Sequence, residues 1–306
     1  MKHELVAFLY KQPGTQLPDS LFQIDCGDFA AVLTERRGSG FLRQWAKKDR
    51  LDNAVNRLRL LESLMDYGPV LPVAPGTNVG KDDVTGIVAS NSAFLKGLAL
   101  RLDSVSQFQL TIHWAEDQVL KRFKDAPEIA PMFASNQVSA RVLQDSIVCL
   151  AQTLRQRIFS LLSESCIEIA ELPVRDDILS NHVVLVRDHE TAKLDETLQR
   201  VDLIWPEGLR IRQIGPAPAT SFASLTVKKY TMHDLDQARR CLCLPLGAST
   251  ETIKTARKSA LLSQPNKAAE VRHAARLMTA TDTAVNPKNI FRLDTWGESQ
   301  SSHTLN

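Results

Sequence analysis

The ten residues Val70-Leu71-Pro72-Val73-Ala74-Pro75-Gly76-Thr77-Asn78-Val79 decide how the N-terminal part of this 306-residue sequence folds. They begin with a short apolar run that is typical of a strand and continue into the turn signal Pro75-Gly76-Thr77. A helix-period pattern precedes this stretch, and a second one follows from Asp82 or Asp83 to Leu102. The stretch therefore predicts a strand and a turn placed between two helices.

Upstream of this strand, residues 41–67 have the periodicity of an amphipathic helix, which Gly68-Pro69 ends. Still further upstream, residues 4–10, 21–24 and 29–34 are short β-prone runs divided by turn-rich segments. The apolar positions of the helix recur at steps of three or four residues: Leu51, Val55, Leu58, Leu61 and Met65.

A second mixture of strands and helices follows. Because antiparallel pairs alternate with helices, the order favours an α+β fold with ferredoxin-like or split βαβ features over a doubly wound parallel sheet. Asp188 is expected to cap the helix that starts at residue 190. The predicted elements are a strand at 107–114, helices within 116–163, strands at 167–172 and 182–187, a helix at 190–201, and strands at 209–214 and 221–227.

After Tyr230 the β pattern ceases, and residues 234–285 predict three helices, the middle one capped by Ser249 or Thr250. The predicted fold class is thus two α+β domains followed by a small all-α three-helix module. The predicted domains are an N-terminal α+β domain at 1–105, a second at 106–230, a three-helix domain at 231–290 and a disordered tail at 291–306.

Composition limits the class of protein. Hydrophobic residues make up 43% and charged residues 24%, as in an ordinary globular chain. No apolar run reaches the roughly 18 residues that span a bilayer, and the N-terminus resembles a first strand more than a signal peptide. Five cysteines without a CxxC pair indicate reduced thiols and a cytoplasmic location. Residues 228–288 carry eleven Lys/Arg against five Asp/Glu, which permits an acidic partner, although a solvated basic face is commoner.

Candidate catalytic motifs fail on chemical grounds. The segment from Gly76 to Asp82 is one residue too short between its glycines for a phosphate loop, and Asp82 replaces the magnesium-binding Ser or Thr. Asp188-His189-Glu190 is the densest ionisable triplet, but adjacent residues on a turn point in different directions. The sequence therefore predicts no catalytic, cofactor-binding or metal-binding residues, and no enzyme.

Two segments carry a family resemblance. Residues 70–79 resemble the VLPVRFGT segment of gas-vesicle GvpL/GvpF proteins, and Ile214-Gly215-Pro216-Ala217-Pro218-Ala219-Thr220-Ser221-Phe222 resembles that family's GPWPPYSF segment. Residues 183–188 also match the strand that the family places before its last helix. The resemblance covers roughly residues 4–227, with the elements in the same order.

The sequence departs from the family pattern at four side chains. Ala74 and Pro75 stand where the family favours arginine and an aromatic residue, and Ala217 and Thr220 replace large aromatics. The retained residues could set backbone geometry or contact a partner, and the first interpretation is favoured because glycine tolerates positive φ and proline fixes φ. These retained residues are Pro72, Gly76, Thr77, Gly215, Pro216 and Phe222.

The C-terminal helices are similar to a J-domain. Residues 236–249, 250–262 and 270–285 correspond to its three helices, and Gln264-Pro265-Asn266 falls where a J-domain has His-Pro-Asp. Asn266 keeps the shape of the aspartate without its charge. The resemblance therefore implies a degenerate J-like module that does not stimulate Hsp70.

The family resemblance implies a gas vesicle accessory protein that binds the major structural protein GvpA and other accessory proteins and assists nucleation and assembly of the vesicle. It implies no nucleic acid, membrane or cofactor. One alternative is a client-holding cochaperone that uses the J-like module. Another is an enzyme on a ferredoxin-like scaffold, since fold alone excludes no activity.

Overall fold

Antiparallel sheets and helices alternate along the chain in the computed structural model, which confirms the predicted α+β class. The structure describes residues 2–12, 14–18, 20–34, 47–133, 140–175, 177–245, 247–281 and 290–295. The residues group into two compact units, Met1–Asp103 with Pro218–Asn306, and Ser104–Ala217. The boundaries at 105/106, 230/231 and 290/291 stay a prediction of where independently folding domains begin and end.

The first unit is built on a sheet whose central strand is β1. Leu5 to Leu9 are apolar at every position and buried, because both faces of this strand are covered. The elements of this part are β1 (Lys2–Tyr10), β2 (Gln23–Cys26), β3 (Phe29–Thr34), α1 (Lys47–Leu64), β4 (Val70–Pro72), β5 (Asn78–Gly80), α2 (Lys81–Ser90) and α3 (Ser92–Arg101). The strand order is β2-β3-β1-β4, and β5 also pairs with β1.

Two details of this unit differ from the sequence expectation or lie beyond it. The single helix expected from residue 82 or 83 to 102 is divided into α2 and α3 at Asn91, whose buried side chain leaves the helix to bind a strand. Residues 41–46 of the predicted first helix lie outside the described residues.

The second unit has the ferredoxin-like βαββαβ order. Its elements are β6 (Val105–Trp114), α4 (Val119–Arg122), α5 (Ala130–Phe133), α6 (Ala140–Ser163), β7 (Glu168–Glu171), β8 (Ile178–Arg187), α7 (Thr191–Asp202) and β9 (Leu209–Ala217). The sheet order is β7-β8-β6-β9, with antiparallel pairing throughout. Helices α6 and α7 pack on the sheet through a core that includes Leu154, Ile158, Val184 and Leu198.

Asp188 does not cap helix α7 with its side chain. Its Oδ1 instead accepts a hydrogen bond from Ser106 Oγ at 2.6 Å, and its backbone lies in a 3₁₀ turn before the helix. The expectation of a capping role was wrong because Asp188 has a nearer hydroxyl partner on β6.

The C-terminal helices α9 (Met232–Leu242), α10 (Thr250–Ser263) and α11 (Ala268–Thr281) confirm the predicted three-helix module. They pack around a shared core that includes Leu235, Ile253, Val271 and Leu277. Ser249 caps α10 as predicted, since its Oγ accepts from Thr252 N at 3.2 Å.

Within the first unit, two strands lie between this module and the N-terminal helices. After the short helix α8 (Thr220–Ala223), strand β10 (Leu225–Tyr230) pairs antiparallel with β11 (Ile290–Thr295), and α2 packs against β11. The predicted disorder from residue 291 was therefore wrong for residues 291–295, because β10 supplies them with hydrogen-bonding partners. Residues 296–306 lie outside the described residues.

Candidate functional site

The first motif segment leaves the sheet at Pro72. Pro72 is buried and lies opposite Ala7 of β1, and Val73 N donates to Val6 O at 2.9 Å. The next amide, Ala74 N, donates to Leu225 O at 2.7 Å, and residue 73 forms an isolated parallel bridge with residue 225. The segment thus connects β1 to the start of β10.

The turn that follows is fixed by Gly76 and Thr77. Gly76 has a φ of 79°, which glycine adopts with little strain, and its N–H donates to Glu4 Oε1 at 3.0 Å. Thr77 Oγ1 donates to Ala74 O at 2.7 Å, while Leu5 N donates to Thr77 O at 2.8 Å. The polar groups of both retained residues are therefore used inside the protein.

Arg57 of α1 completes this arrangement. Its Nη1 donates to Glu4 Oε1 at 2.8 Å, and its Nη2 donates to the carbonyl oxygens of Val6 and Val73. The side chain is only 14% exposed, and this burial lowers the pKa of Arg57, whereas the nearby Glu4 carboxylate raises it. Because the carbonyls and carboxylate surround the guanidinium, the buried charge is compensated.

The second motif segment distorts strand β9. The pairing with β6 shifts between Gln107–Ala217 and Gln109–Ile214, so that residues 215 and 216 form an irregularity opposite Phe108. Gly215 has a φ of 141°, and a Cβ there would lie 2.7 Å from both Gln107 O and Phe108 Cδ1. Only glycine fits this close approach of two backbones. The Gly215-Pro216 peptide bond is cis.

The end of this motif meets the first segment within the first unit. Phe222 is half-buried in α8, and α8 packs against β4, which contains Pro72. Gly215 and Pro216 belong to the other unit. The structure therefore brings Pro72, Gly76, Thr77 and the helix of Phe222 into one region, which we call the motif junction, and keeps the glycine-proline pair in β9.

The J-like loop is an exposed 3₁₀ turn between α10 and α11. Gln264, Pro265 and Asn266 are all exposed, and Lys267 N donates to Gln264 O at 3.0 Å. Pro265 occupies the first position of the turn, where its missing N–H costs nothing. The loop is thus accessible to a partner and carries no acidic side chain.

The ionisable side chains do not converge into a catalytic arrangement in the part of the chain that the structure describes. Asp188 bonds to Ser106, and His113 pairs with Asp177 at 2.9 Å on an exposed strand end. No group of three or more His, Cys, Asp or Glu residues that could hold a metal ion occurs among the described residues. The chemistry of the motif junction is therefore hydrogen bonding and packing.

Sequence analysis missed three residues that fix the backbone of this unit: Glu4 and Arg57 at the motif junction, and Asn91, which bonds to strand β11. Arg57 and Glu4 are separated by 53 positions, and a charged residue inside an amphipathic helix gives no signal of a buried partner. Asn91 could have been suspected, because Ser90-Asn91-Ser92 interrupts an apolar helical pattern with residues that favour caps and turns.

Two solved structures share this fold. The crystal structure of the gas vesicle protein GvpF from Anabaena sp. PCC7120 has a TM-score of 0.57 and 17% identity, and the match covers 73% of this chain and 98% of that chain. The crystal structure of GvpF from Microcystis aeruginosa has a TM-score of 0.54 and 16% identity, with 73% and 99% covered. At these identities the likeness shows the fold. No curated protein matches the sequence.

The fold and the motif junction define an α+β protein with a ferredoxin-like unit, in which the turns of the two motif segments shape the backbone. The family model described as gas vesicle synthesis protein GvpL/GvpF matches residues 10–224, more than half of the chain. The chain therefore belongs to the GvpL/GvpF family. The three-helix module, which begins at Met232, lies outside this match.

One further property bears on the class of protein. Within the described ranges, none of the helices combines the length and the apolar character that crossing a membrane would require.

Proposed function

We propose that this protein binds the shell protein GvpA in the cytoplasm, together with other accessory proteins, and assists nucleation and assembly of the gas vesicle without catalysing a reaction. The observation that carries the proposal is the family match over residues 10–224. It is supported by the motif junction, whose polar groups are hydrogen-bonded internally and serve to hold a shape.

An exposed apolar stripe on helix α1 is the surface that we propose for GvpA. Leu51, Val55 and Leu58 are 64%, 38% and 39% exposed, and their spacing places them on one face of the helix. Towards the end of the helix the same stripe turns into the core, where Leu61 and Leu64 are buried. A strongly hydrophobic subunit needs such a surface before it polymerises, because contact removes apolar area from water on both partners.

The test is co-purification of GvpA with the tagged full-length chain after co-expression. We expect the triple variant Leu51→Gln/Val55→Gln/Leu58→Gln to lose most of the GvpA that the wild type retains, since the mutated residues are exposed and contribute little to the core. A matched triple variant, Asn53→Gln/Asn56→Gln/Arg59→Gln, changes exposed polar positions of the same helix and should retain GvpA.

Two results would contradict different parts of this proposal. Failure of the wild type to retain GvpA would count against GvpA binding itself. Equal retention by the wild type and by the apolar-stripe variant would leave GvpA binding in place and reject α1 as its surface.

A further inference from the structure

A cleft lies inside the first unit, between the N-terminal helices and the three-helix module. One wall is formed by residues 89–94 and Lys96, around the junction of α2 and α3. The opposite wall consists of residues from α10 and α11, and strand β11 contributes Leu293 between them. The cleft has a volume of about 820 Å³. Its second wall lies outside the residues that match the GvpL/GvpF family.

Five cationic side chains line this cleft, and three of them have carboxylate partners. Lys96 Nζ lies 2.7 Å from Asp28 Oδ2, Lys254 Nζ lies 2.6 Å from Glu251 Oε1, and Arg292 pairs with Asp294. The other two, Arg257 of α10 and Arg276 of α11, form no ion pair with any residue that the structure describes. Among the residues that the structure describes, the cleft therefore has two guanidinium groups without a carboxylate partner.

The carboxylate of the cleft cannot neutralise these two arginines. Asp294 is the acidic residue among the described lining residues, and its side chain is only 7% exposed. One of its oxygens pairs with Arg292, and the other lies 3.3 Å from Lys228 Nζ. Because both oxygens are already engaged, Arg257 and Arg276 remain available to an anion from outside.

The electrostatic surroundings agree with this excess of positive charge. His273 lies one helical turn before Arg276 on α11. Burial is the largest cause that lowers the pKa of His273, and the cations Arg292, Lys228 and Arg276 lower it further against the opposing effect of Asp294. Protonation of His273 is therefore disfavoured first by burial and then by the neighbouring cations.

Apolar residues also line the cleft. Ile253, Ala275 and Leu293 are buried, while Phe94 is 36% exposed. Small-molecule sites usually hold their ligand with a few deeply buried polar groups. Here the two arginines without a described carboxylate partner are exposed, and apolar residues share the lining with them. This arrangement suits a segment with acidic residues on one side and apolar residues on the other.

We propose that this cleft is a binding site for an acidic amphipathic peptide segment of a partner protein, whose carboxylates pair with Arg257 and Arg276 while an apolar side chain packs against Phe94. Guanidinium groups bind carboxylates in a bidentate manner, which gives both affinity and orientation. This inference goes beyond the proposed binding of GvpA to α1 and does not depend on it.

The test measures fluorescence anisotropy with the full-length chain and a labelled peptide of glutamates in which leucine recurs every fourth residue. The variant Arg257→Gln/Arg276→Gln should bind the peptide at least about tenfold more weakly, because two charge-assisted bonds are lost. The matched variant Lys258→Gln/Arg272→Gln removes the same charge from exposed neighbouring positions on the same two helices and should change the affinity less than about twofold.

A second pair of variants examines the opposite wall. Phe94→Glu places a carboxylate in the cleft lining and should weaken peptide binding, whereas Leu100→Glu introduces the same charge on the same helix at a 69% exposed position that does not line the cleft. Circular dichroism of all variants should show unchanged helix content. Equal losses for Phe94→Glu and Leu100→Glu would reject the proposed location.

Further outcomes would overturn the proposal. Absence of saturable binding to the glutamate–leucine peptide would do so, and so would equal binding of the peptide in which lysine replaces glutamate. Tighter binding of a single-stranded DNA oligonucleotide, or complete displacement of the peptide by millimolar inorganic phosphate, would assign the cleft to phosphate groups. If Arg257→Gln/Arg276→Gln and Lys258→Gln/Arg272→Gln weakened peptide binding equally, the attraction would be a non-specific effect of net charge and the proposal would be rejected.

Discussion

The carboxylate of Glu4 on β1 and the guanidinium of Arg57 on α1 form an ion pair with 2.8 Å between Oε1 and Nη1. The same oxygen accepts the N–H of Gly76, at 3.0 Å. One carboxylate oxygen therefore connects the central strand, the long helix and the turn of the first motif. Arg57 extends the network to the Val73 carbonyl, which immediately precedes the amide that binds β10.

Removing the negative charge of Glu4 should destabilise the folded protein. We expect Glu4→Gln to lower the free energy of unfolding by about 2 kcal/mol, because a largely buried guanidinium loses its charged partner. Urea denaturation at neutral pH measures the change. Arg59→Gln, which alters an exposed cation on the same helix, is the control and should change the value by less than about 0.5 kcal/mol.

The interaction itself can be isolated with a double-mutant cycle. Arg57→Met should also destabilise the protein, but combining it with Glu4→Gln should cost less than the sum of the two single changes, since each removes the same contact. Strict additivity would show that the ion pair contributes nothing.

The two motif glycines should respond differently to alanine. At Gly76 the φ of 79° is strained for alanine, but no atom lies within 4 Å of the added Cβ, so Gly76→Ala should cost about 1 kcal/mol. At Gly215 the added Cβ would also meet Gln107 O at 2.7 Å, so Gly215→Ala should cost about 3 kcal/mol. Thermal denaturation of both variants compares them, and equal costs would contradict the role assigned to close packing at Gly215.

Asn91 should hold strand β11 in place. Its Nδ2 donates to Ile87 O at 2.8 Å and to Phe291 O at 3.0 Å, and its Oδ1 accepts from Leu293 N at 3.2 Å. We expect Asn91→Ala to destabilise the protein by about 2 kcal/mol, because buried backbone groups lose their partner. Hydrogen exchange should accelerate at Leu293 above all.

A matched substitution next to Asn91 separates this effect from a general loss of helix. Ser92→Ala changes an exposed residue at the start of α3 and should leave exchange in β11 unchanged. If both variants accelerated exchange equally, the side chain of Asn91 would not be the link between α2 and β11.

The sequence pattern predicted those parts of the fold that rest on local periodicity. The alternation in 107–114, the stripe of α6 and the short helix near residue 190 were enough to expect the ferredoxin-like unit. Strand β11 was not predicted, because its partner β10 lies about sixty positions earlier and pairing at that distance leaves no local pattern in the sequence. The break at Asn91 had a local signal in Ser90-Asn91-Ser92, but its partners on β11 are some 200 positions away and could not be predicted.

The motif junction was predictable in part. Gly76 indicates the turn and Pro72 the end of the strand, because each residue restricts or permits particular backbone angles. The positions of both features were therefore predictable from the sequence. Their partners were not, since nothing in the periodicity of α1 distinguishes the buried Arg57 from the exposed Arg59. The cleft was not predictable for the same reason. Arg257 and Arg276 are distinguished from other surface cations only in three dimensions, where no described carboxylate pairs with them.

The J-like loop gives a prediction about chaperones. Gln264 and Asn266 are exposed and uncharged, and the J-domain resemblance assigns them to the position of the His-Pro-Asp loop. On that assignment, a charge-assisted bond worth about 1.5–3 kcal/mol is missing from any contact with Hsp70. In a single-turnover ATPase assay the protein should not stimulate Hsp70, in contrast to a J-domain protein with an intact loop. Robust stimulation would favour the client-holding cochaperone alternative.

His182 should make the stability of the second unit depend on pH. Its side chain is buried beside Phe159 of α6, with Nε2 2.5 Å from Ser180 Oγ, and Glu171 lies opposite on β7. Burial lowers the pKa of His182 below its ordinary value of 6.5, although Glu171 acts in the other direction. The unfolded chain therefore takes up a proton at a higher pH than the folded protein does, so stability is complete above about pH 6.5 and decreases as the pH falls below that value.

We expect His182→Gln to reduce the difference between the urea midpoints at neutral and mildly acidic pH. An unchanged difference in His182→Gln would show that its imidazole is not excluded from protonation by the fold.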